Sequence, residues 1–318
     1  MKNVVKLNDY VENLKLVLSS PRQRRPGTIT SYVQTAKTFL AWLDGDVIPP
    51  ANYDGAMEKV NVVFRRYFLW RREKKISERT LMKEFSHLQK LALANNWPWP
   101  FTDNDKPVSE EEPYAPALLP DQIEQMIRSY DVLTRAERFY LALSTTWGCR
   151  REDMAEISHK DYNETEIGIM IAKRRKKIKH LVPEEIRPVL GNFKAQRRTP
   201  TSLSIMFTRI VKKAGLKTLK HYGWHSIRRT VDTVLQWNYG QEKIPQPALA
   251  DYMGWSRTAR SQQASGSSML GHYYHPEILP GDVYGMERLI HKINPFLPLW
   301  LEILSREPQT EEAAISSI

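Results

Sequence analysis

A single cysteine, Cys149, occurs in 318 residues. The chain therefore forms no internal disulfide and no cysteine-ligated zinc cluster. Long apolar runs are also missing. The longest apolar stretches are short and broken by charge, and neither a secretory signal nor a transmembrane segment is visible. These absences lead us to expect a cytoplasmic, or more broadly intracellular, protein without a membrane partner. Internal repeats are absent too. Acidic residues are in deficit, 36 against 47 Lys plus Arg, which leaves a net charge of +11. An excess of that size suits a polyanion partner, although a merely basic protein would carry the same charge. Hydrophobic residues make up 41%, so a normal core can be buried, and the length accommodates two domains.

The first hundred residues read as four helices. Leu7, Val11, Leu14 and Leu18 share one helical face. Thr28 can cap a second helix carrying Ile29, Tyr32, Val33, Ala36, Leu40 and Leu43. A third carries Met57, Val60, Phe64 and Tyr67, and Ser77 can cap a fourth with Leu81, Phe85, Leu88 and Leu91, ended by Pro98 and Pro100. Arg24 and Arg25 precede the second helix. Arg65, Arg66, Arg71 and Arg72 crowd the end of the third, interleaved with Tyr67, Phe68 and Trp70. Basic residues among aromatics can track a sugar-phosphate backbone. A solvated helix face over core aromatics has the same pattern.

An acidic, proline-containing stretch then reads as a linker, giving a helical unit at 1–105, a linker at 106–118, a second domain at 119–305 and a polar tail at 306–318. In the second domain a helix starts at Leu119-Pro120-Asp121 with Ile123, Met126 and Ile127 on one side. Another spans about Arg135 to Trp147, and a short one follows Arg150. A β segment from Ile167 to Ala172, a basic turn from Lys173 to Lys177 and a β segment through His180 to Pro183 form a hairpin with a cationic tip, Arg174 and Arg175 included. Helices resume from about Ser202. Tyr284 to Leu304 is rich in apolar residues and broken by Pro295 and Pro298.

Chemistry concentrates in a few ordered places. His225-Ser226-Ile227-Arg228 puts an imidazole and a guanidinium three residues apart, on one face if helical. Upstream lies Gly148-Cys149-Arg150-Arg151-Glu152-Asp153. Downstream come Tyr252-Met253-Gly254-Trp255 and Gly271-His272-Tyr273-Tyr274-His275. Arginines, a histidine and a tyrosine suit a phosphodiester that carries negative charge and must be attacked.

In this order the motifs resemble those of the tyrosine recombinases, the phage integrase, Xer and Cre group, over essentially the whole chain. The resemblance implies a mainly α fold with a small β-sheet (α+β), a helical, SAM-like core-binding domain preceding the catalytic domain. It makes Arg150 the first catalytic arginine of a Gly-x-Arg-x-x-Glu box, with Asp153 in the acidic, supporting position. It makes His225 and Arg228 the His-x-x-Arg box. The family's hairpin lysine matches Lys173, which directly follows the strand, with Lys176 as the alternative. Trp255 matches a donor to a nonbridging phosphate oxygen. Tyr273 matches the nucleophile, since His275 then completes a Tyr-x-His ending; Tyr274 is the alternative. A polar insert, Arg257 through Leu270, lengthens the approach to that tyrosine. A second parse takes Leu270-Gly271-His272 as a Leu-Gly-His box and Tyr284 as nucleophile.

What the resemblance implies is cleavage and rejoining of double-stranded DNA through a 3′-phosphotyrosyl intermediate, with strand exchange between short core sites and a homo-oligomer, likened to a tetrameric synapse, on the DNA. No metal and no cofactor is implied. Two alternatives share the scaffold: relaxation of DNA as by a type IB topoisomerase, and a DNA-binding regulator with an inactive site.

Overall fold

The computed structural model describes residues 2–19, 26–44, 48, 52, 54–108, 116–172, 176–217, 221–238, 244, 246–254 and 284–306. The chain is mainly α-helical with one small antiparallel sheet. It divides into two compact units, Met1–Tyr114 and Ala115–Ile318.

Four helices make the first unit: α1 (Lys2–Ser19), α2 (Pro26–Leu43), α3 (Ala56–Glu73) and α4 (Glu78–Ala94). Val11, Leu14 and Leu18 of α1 are buried; the side chain of Leu7 lies outside the described residues. Ser77 caps α4 by accepting the Thr80 N–H at 3.4 Å, and Leu81, Phe85, Leu88 and Leu91 then fall on the buried face. Three expectations are corrected. Helix α2 begins at Pro26, two residues before Thr28, because proline is preorganised for a first helical turn and lacks only an N–H that would be unpaired there. Met57 is 53% exposed; the inward stripe of α3 starts instead at Val60. Helix α4 ends at Ala94, well before Pro98. Asn95 caps it, Asn96 turns left-handed at φ 54°, and Trp97 is thrown back into the core. Phe39, Phe64, Tyr67, Phe85, Trp99 and Phe101 stack in one aromatic cluster, Phe39 on Phe64 at 4.9 Å and Phe85 edge-on to Trp99 at 5.1 Å.

The second unit is built around α6 (Arg135–Trp147), which is buried on all sides from Phe139 to Trp147. Thr134 and Glu137 form a reciprocal capping box at its start. Helix α5 (Pro120–Arg128) lies before it and α7 (Arg151–Ala155) after it. Strands β1 (Glu166–Ile171) and β2 (Lys176–Leu181) pair with Ile171 opposite Lys176 and Glu166 opposite Leu181. Lys176 and Lys177 are thus strand residues and not part of the turn. A 3₁₀ turn at Glu184–Ile186 and α8 (Arg187–Gly191) follow, then α9 (Pro200–Lys213), α10 (Trp224–Asn238) and α11 (Gln246–Tyr252). Two helices close the unit, α12 (Gly285–Lys292) and α13 (Phe296–Ser305). Pro298 does not break α13: it sits in the first turn, where no N–H partner exists to lose. Phe296, Leu297 and Trp300 enter the unit's own core, and the Trp300 indole N–H donates to Thr145 Oγ1 at 3.0 Å. None of the helices among the described residues is long and apolar enough to cross a membrane.

Each unit buries a histidine in neutral form. In the first, His87 stacks on Tyr32 at 3.9 Å and faces Thr35 Oγ1 at 2.8 Å. Burial, with Lys83 nearby, pushes its pKa down from 6.5 to about 4. In the second, burial pushes His291 to about 4 against the pull of Glu287. The unfolded rings bind a proton that the folded ones refuse, so this stability is complete above about pH 6.5 and is lost as pH falls towards 4. Each histidine should cost about 2 kcal/mol at pH 5 relative to pH 8. Urea unfolding followed between pH 8 and pH 5 checks this, because carboxylates titrate lower; a flat profile would contradict it, and His87→Gln with His291→Gln should flatten it.

Candidate active site

The site begins where α6 stops. Gly148 takes a left-handed conformation at φ 56°. A Cβ at that position would lie 2.7 Å from Met253 Cε and 3.5 Å from Arg228 Cγ. The chain then turns and sets Arg150 at the N-cap of α7 in extended conformation. Arg228 comes from the second turn of α10. It is 7% exposed. Its Nη1 donates to the Gly148 carbonyl and its Nη2 to the Met253 carbonyl, each at 2.6 Å. Met253 is carried by the end of α11, where Tyr252 Oη donates to the Thr146 carbonyl at 2.8 Å. Gly254 follows at φ 62°, and a Cβ there would meet Ile171 Cδ1 at 2.9 Å. The turn after α11 is thus pressed onto β1.

Asp153 joins the arginine box to the hairpin. Its Oδ1 accepts the Ala172 N–H at 2.8 Å, and its Oδ2 stands 3.5 Å from Arg150 Nη1. Both Asp153 Oδ2 and Arg150 Nη1 are buried, and among the described residues neither makes a hydrogen bond. Ala172 directly follows β1, so this bond ties the end of that strand to the arginine box. Lys176, opposite Ile171, is exposed at the same end of the hairpin.

The electrostatics agree with the geometry. Burial lowers Arg228 to about 10, and the charge of Arg150 adds to the effect. The two guanidinia are close enough to repel. Burial raises the Asp153 carboxyl, against the Ala172 hydrogen bond and the pull of Arg150 and Arg228. Burial likewise raises the Cys149 thiol, against the pull of Arg228 and Arg150. The His225 ring is exposed at the mouth of the site. Partial desolvation lowers its pKa, Arg228, Arg150 and Arg229 push the same way, and Glu152 opposes them. His225 is therefore a neutral imidazole at pH 7, able to take a proton.

The structure thus brings Arg150, Asp153, His225 and Arg228 together at the tip end of the hairpin. Lys173, Arg174, Arg175, Trp255, Tyr273, Tyr274, the polar insert and residues 307–318 lie outside the described residues, as do Arg24 and Arg25. Tyr284 is described. Its hydroxyl donates to Glu166 Oε1, at the opposite end of the hairpin from Ala172, roughly 20 Å away for strand geometry. Sequence reading missed the two carbonyls that hold Arg228, because backbone atoms leave no signature beyond the glycine that exposes one of them.

In the first unit, Arg66 and Arg72 are exposed, Arg72 beside Glu78 at 3.0 Å. Arg65 is exposed over the Phe101 ring, near Asp105 at 3.7 Å. Arg71 leaves this cationic face. Its guanidinium pairs with both oxygens of Glu84, a buried carboxylate that Tyr67 also donates to. Tyr67 and Phe68 are buried, so these aromatics are core beneath a charged surface.

Gly148→Ala should lower the unfolding free energy by about 1–3 kcal/mol, since it adds left-handed strain and a methyl group against Met253. Denaturant unfolding checks it; wild-type stability would show that the turn relaxes freely.

No protein-family model matches the chain, and no curated protein matches it in sequence. Solved structures do. A lambda integrase tetramer bound to a Holliday junction superposes with a TM-score of 0.58 at 15% identity, covering 85% of this chain and 78% of that one. XerH site-specific recombinase in a post-cleavage complex with palindromic difH gives 0.54 at 16%, covering 93% and 89%. The Tn1549 transposon integrase in complex with transposon right end DNA gives 0.52 at 14%, covering 86% and 99%. These likenesses span both units, and the chain has the fold of the tyrosine recombinases.

Proposed function

We propose that the chain is a site-specific DNA recombinase that breaks and rejoins double-stranded DNA through a 3′-phosphotyrosyl intermediate. The observation that carries this is the arginine pair. Two guanidinia, one buried and one partly so, are gathered at one point by backbone carbonyls and a carboxylate, which is costly unless an anion is to be held there. A scissile phosphate placed between them would relieve their repulsion, and their donors would neutralise the charge that grows on its oxygens during attack. Similar structures bound to core-site, Holliday-junction and transposon-end DNA support the choice of substrate.

The chemistry balances. The phenolic oxygen of Tyr273, with Tyr274 as the alternative, attacks phosphorus and gives its proton to neutral His225. The bond from phosphorus to the 5′-oxygen breaks, and Lys173, with Lys176 as the alternative, protonates the departing oxygen. Trp255 donates to a nonbridging oxygen. Attack by a second strand's 5′-hydroxyl reverses these steps and exchanges strands. The phosphotyrosyl bond conserves the energy of the broken one, so the cycle needs neither nucleotide nor metal. Arg65, Arg66 and Arg72 serve the first unit's grip on the DNA backbone. Exchange between two duplexes calls for several protomers, and a tetramer is the proposed assembly.

Trapping on a nicked duplex that loses its 5′-hydroxyl fragment tests this directly. Wild-type protein should form a covalent adduct that resists chelator. Arg150→Ala and Arg228→Ala should each slow it by at least about 100-fold while keeping most DNA affinity, because many other cations contact phosphates. Tyr273→Phe should form none and Tyr274→Phe should cleave normally; an adduct peptide modified at Tyr274 would shift the assignment by one residue. No adduct from wild-type protein would sink the proposal.

Acidity gives a second test. His225 must be neutral to accept the phenolic proton, and its pKa lies below the ordinary histidine value. The single-turnover cleavage rate should stay level through neutral pH and fall only below the ordinary histidine range, and His225→Gln should abolish that fall. A rate that declines already between pH 8 and pH 7 would contradict the assignment.

A further inference from the structure

Residues 255–283 lie outside the described residues, which resume at Tyr284, the N-cap of α12. One carboxylate fastens that helix to the hairpin. Glu287, in the first turn of α12, meets His180 Nδ1 with Oε1 at 2.7 Å and accepts the Leu181 N–H with Oε2 at 3.0 Å. Its side chain is 12% exposed and that of His180 4%. On the other side His291 Nε2 stands 3.9 Å from Glu287 Oε1. The Tyr252 ring lies edge-on to both imidazoles, 5.4 Å from His180 and 5.8 Å from His291, while its hydroxyl reaches the Thr146 carbonyl just before the arginine box. Tyr284 adds a bond to Glu166 on β1.

A carboxylate is an expensive way to make such a joint. Apolar side chains of similar volume hold a helix against a strand equally well or better, without the desolvation cost of a charge. What the carboxylate adds is register. Its two oxygens address a side chain and a backbone N–H at one end of β2, and only one height and rotation of α12 satisfies both. We propose that Glu287 is a positioning residue for strand cleavage. It holds α12, and so the point where the chain returns from Tyr273 and Tyr274, in fixed register with the hairpin that carries Lys173 and Lys176. This rests on the recombinase reading above, in which that tyrosine segment and that hairpin act on one phosphate. Glu287 acts through its neighbours and touches no substrate.

The test uses the full chain on the nicked duplex, with DNA affinity and single-turnover adduct formation measured separately, and amide exchange of 285–292 and of Leu181 followed in parallel. Glu287→Ala should leave the Kd within about twofold, slow adduct formation roughly 10- to 100-fold, as a small displacement of a reacting group does, and speed amide exchange in α12. Glu287→Gln keeps an oxygen for the Leu181 N–H but loses the charge-assisted bond to His180, and should slow the reaction about three- to tenfold. His180→Ala keeps the Leu181 bond and should resemble Glu287→Gln, and combining it with Glu287→Ala should be little slower than Glu287→Ala alone, because both remove parts of one joint. Wild-type rates in the Glu287 variants that fold would overturn the proposal, as would fully additive effects of Glu287 and His180. If Glu287→Ala fails to fold, Glu287→Gln carries the test alone. Failure of wild-type protein to form any adduct would instead remove the recombinase reading, whatever the variants do.

Discussion

A guanidinium that is 7% exposed must have its donors met, because a buried charge left unpaired costs several kcal/mol. Arg228 meets this demand with main-chain oxygens from two other segments, Gly148 at the end of α6 and Met253 at the end of α11. Much in the second unit follows. The carbonyl of Gly148 faces the guanidinium because the chain turns left-handed there, a conformation that favours glycine, and a Cβ would also press on the end of the Met253 side chain. Met253 presents its carbonyl because Tyr252 anchors α11 to Thr146 and because Gly254 lets the next turn close onto β1. Two glycines and one tyrosine hydroxyl therefore serve one arginine. Carbonyls meet the donors of the guanidinium without carrying a full negative charge themselves.

Asp153 supplies part of the compensation that the pair receives, and it does so asymmetrically. It stands beside Arg150, the more exposed partner, and spends its other oxygen on the hairpin. Burial disfavours the ionisation of Asp153, while Asp232 also acts on Arg228 and Glu152 on His225. His225 feels both arginines and is kept neutral in part by them. The field that would stabilise a phosphate thus also keeps the imidazole unprotonated, while making it a weaker base.

Legibility in the sequence followed the range of the interaction. Helix α6 reads as about Arg135 to Trp147 and forms there, closed by a local capping box and a terminal glycine. The hairpin was found with its first strand displaced by one residue and its second begun too late, since Lys176 and Lys177 look like turn residues until they are seen paired with Ile171 and Met170. Pro298 reads as a break and is absorbed in a helix, and Pro26 starts one where Thr28 reads as the cap, because both prolines fall in first turns where a missing N–H costs nothing. Arg150, His225 and Arg228 were legible as motif residues, and the fold brings them together. Arg71 was misread as surface charge because its partner Glu84 lies on the next helix, 13 residues on. The grip on Arg228 spans 80 residues to Gly148, and the Glu287 joint spans 107 to His180. Neither leaves a periodic or spacing signal.

The hairpin shows what these long-range contacts accomplish together. A two-stranded ribbon has little stability of its own, and a slip of one residue would turn every side chain to the other face. Here each strand is held where it ends by a carboxylate that accepts a backbone N–H. Asp153 takes Ala172 just beyond β1, and Glu287 takes Leu181 at the end of β2. Because the strands run antiparallel, these two points lie at opposite ends of the ribbon. Pinning both ends fixes position along the strands as well as rotation about them, which hydrophobic contact through Ile167, Ile169 and Ile171 alone would leave free to slide. The pinned end at Ala172 shares its carboxylate with Arg150, and the pinned end at Leu181 shares its carboxylate with the helix into which the chain returns after the tyrosine segment. The ribbon is therefore a rigid spacer between the arginines and that helix, and its length and register set how the parts of the site can meet.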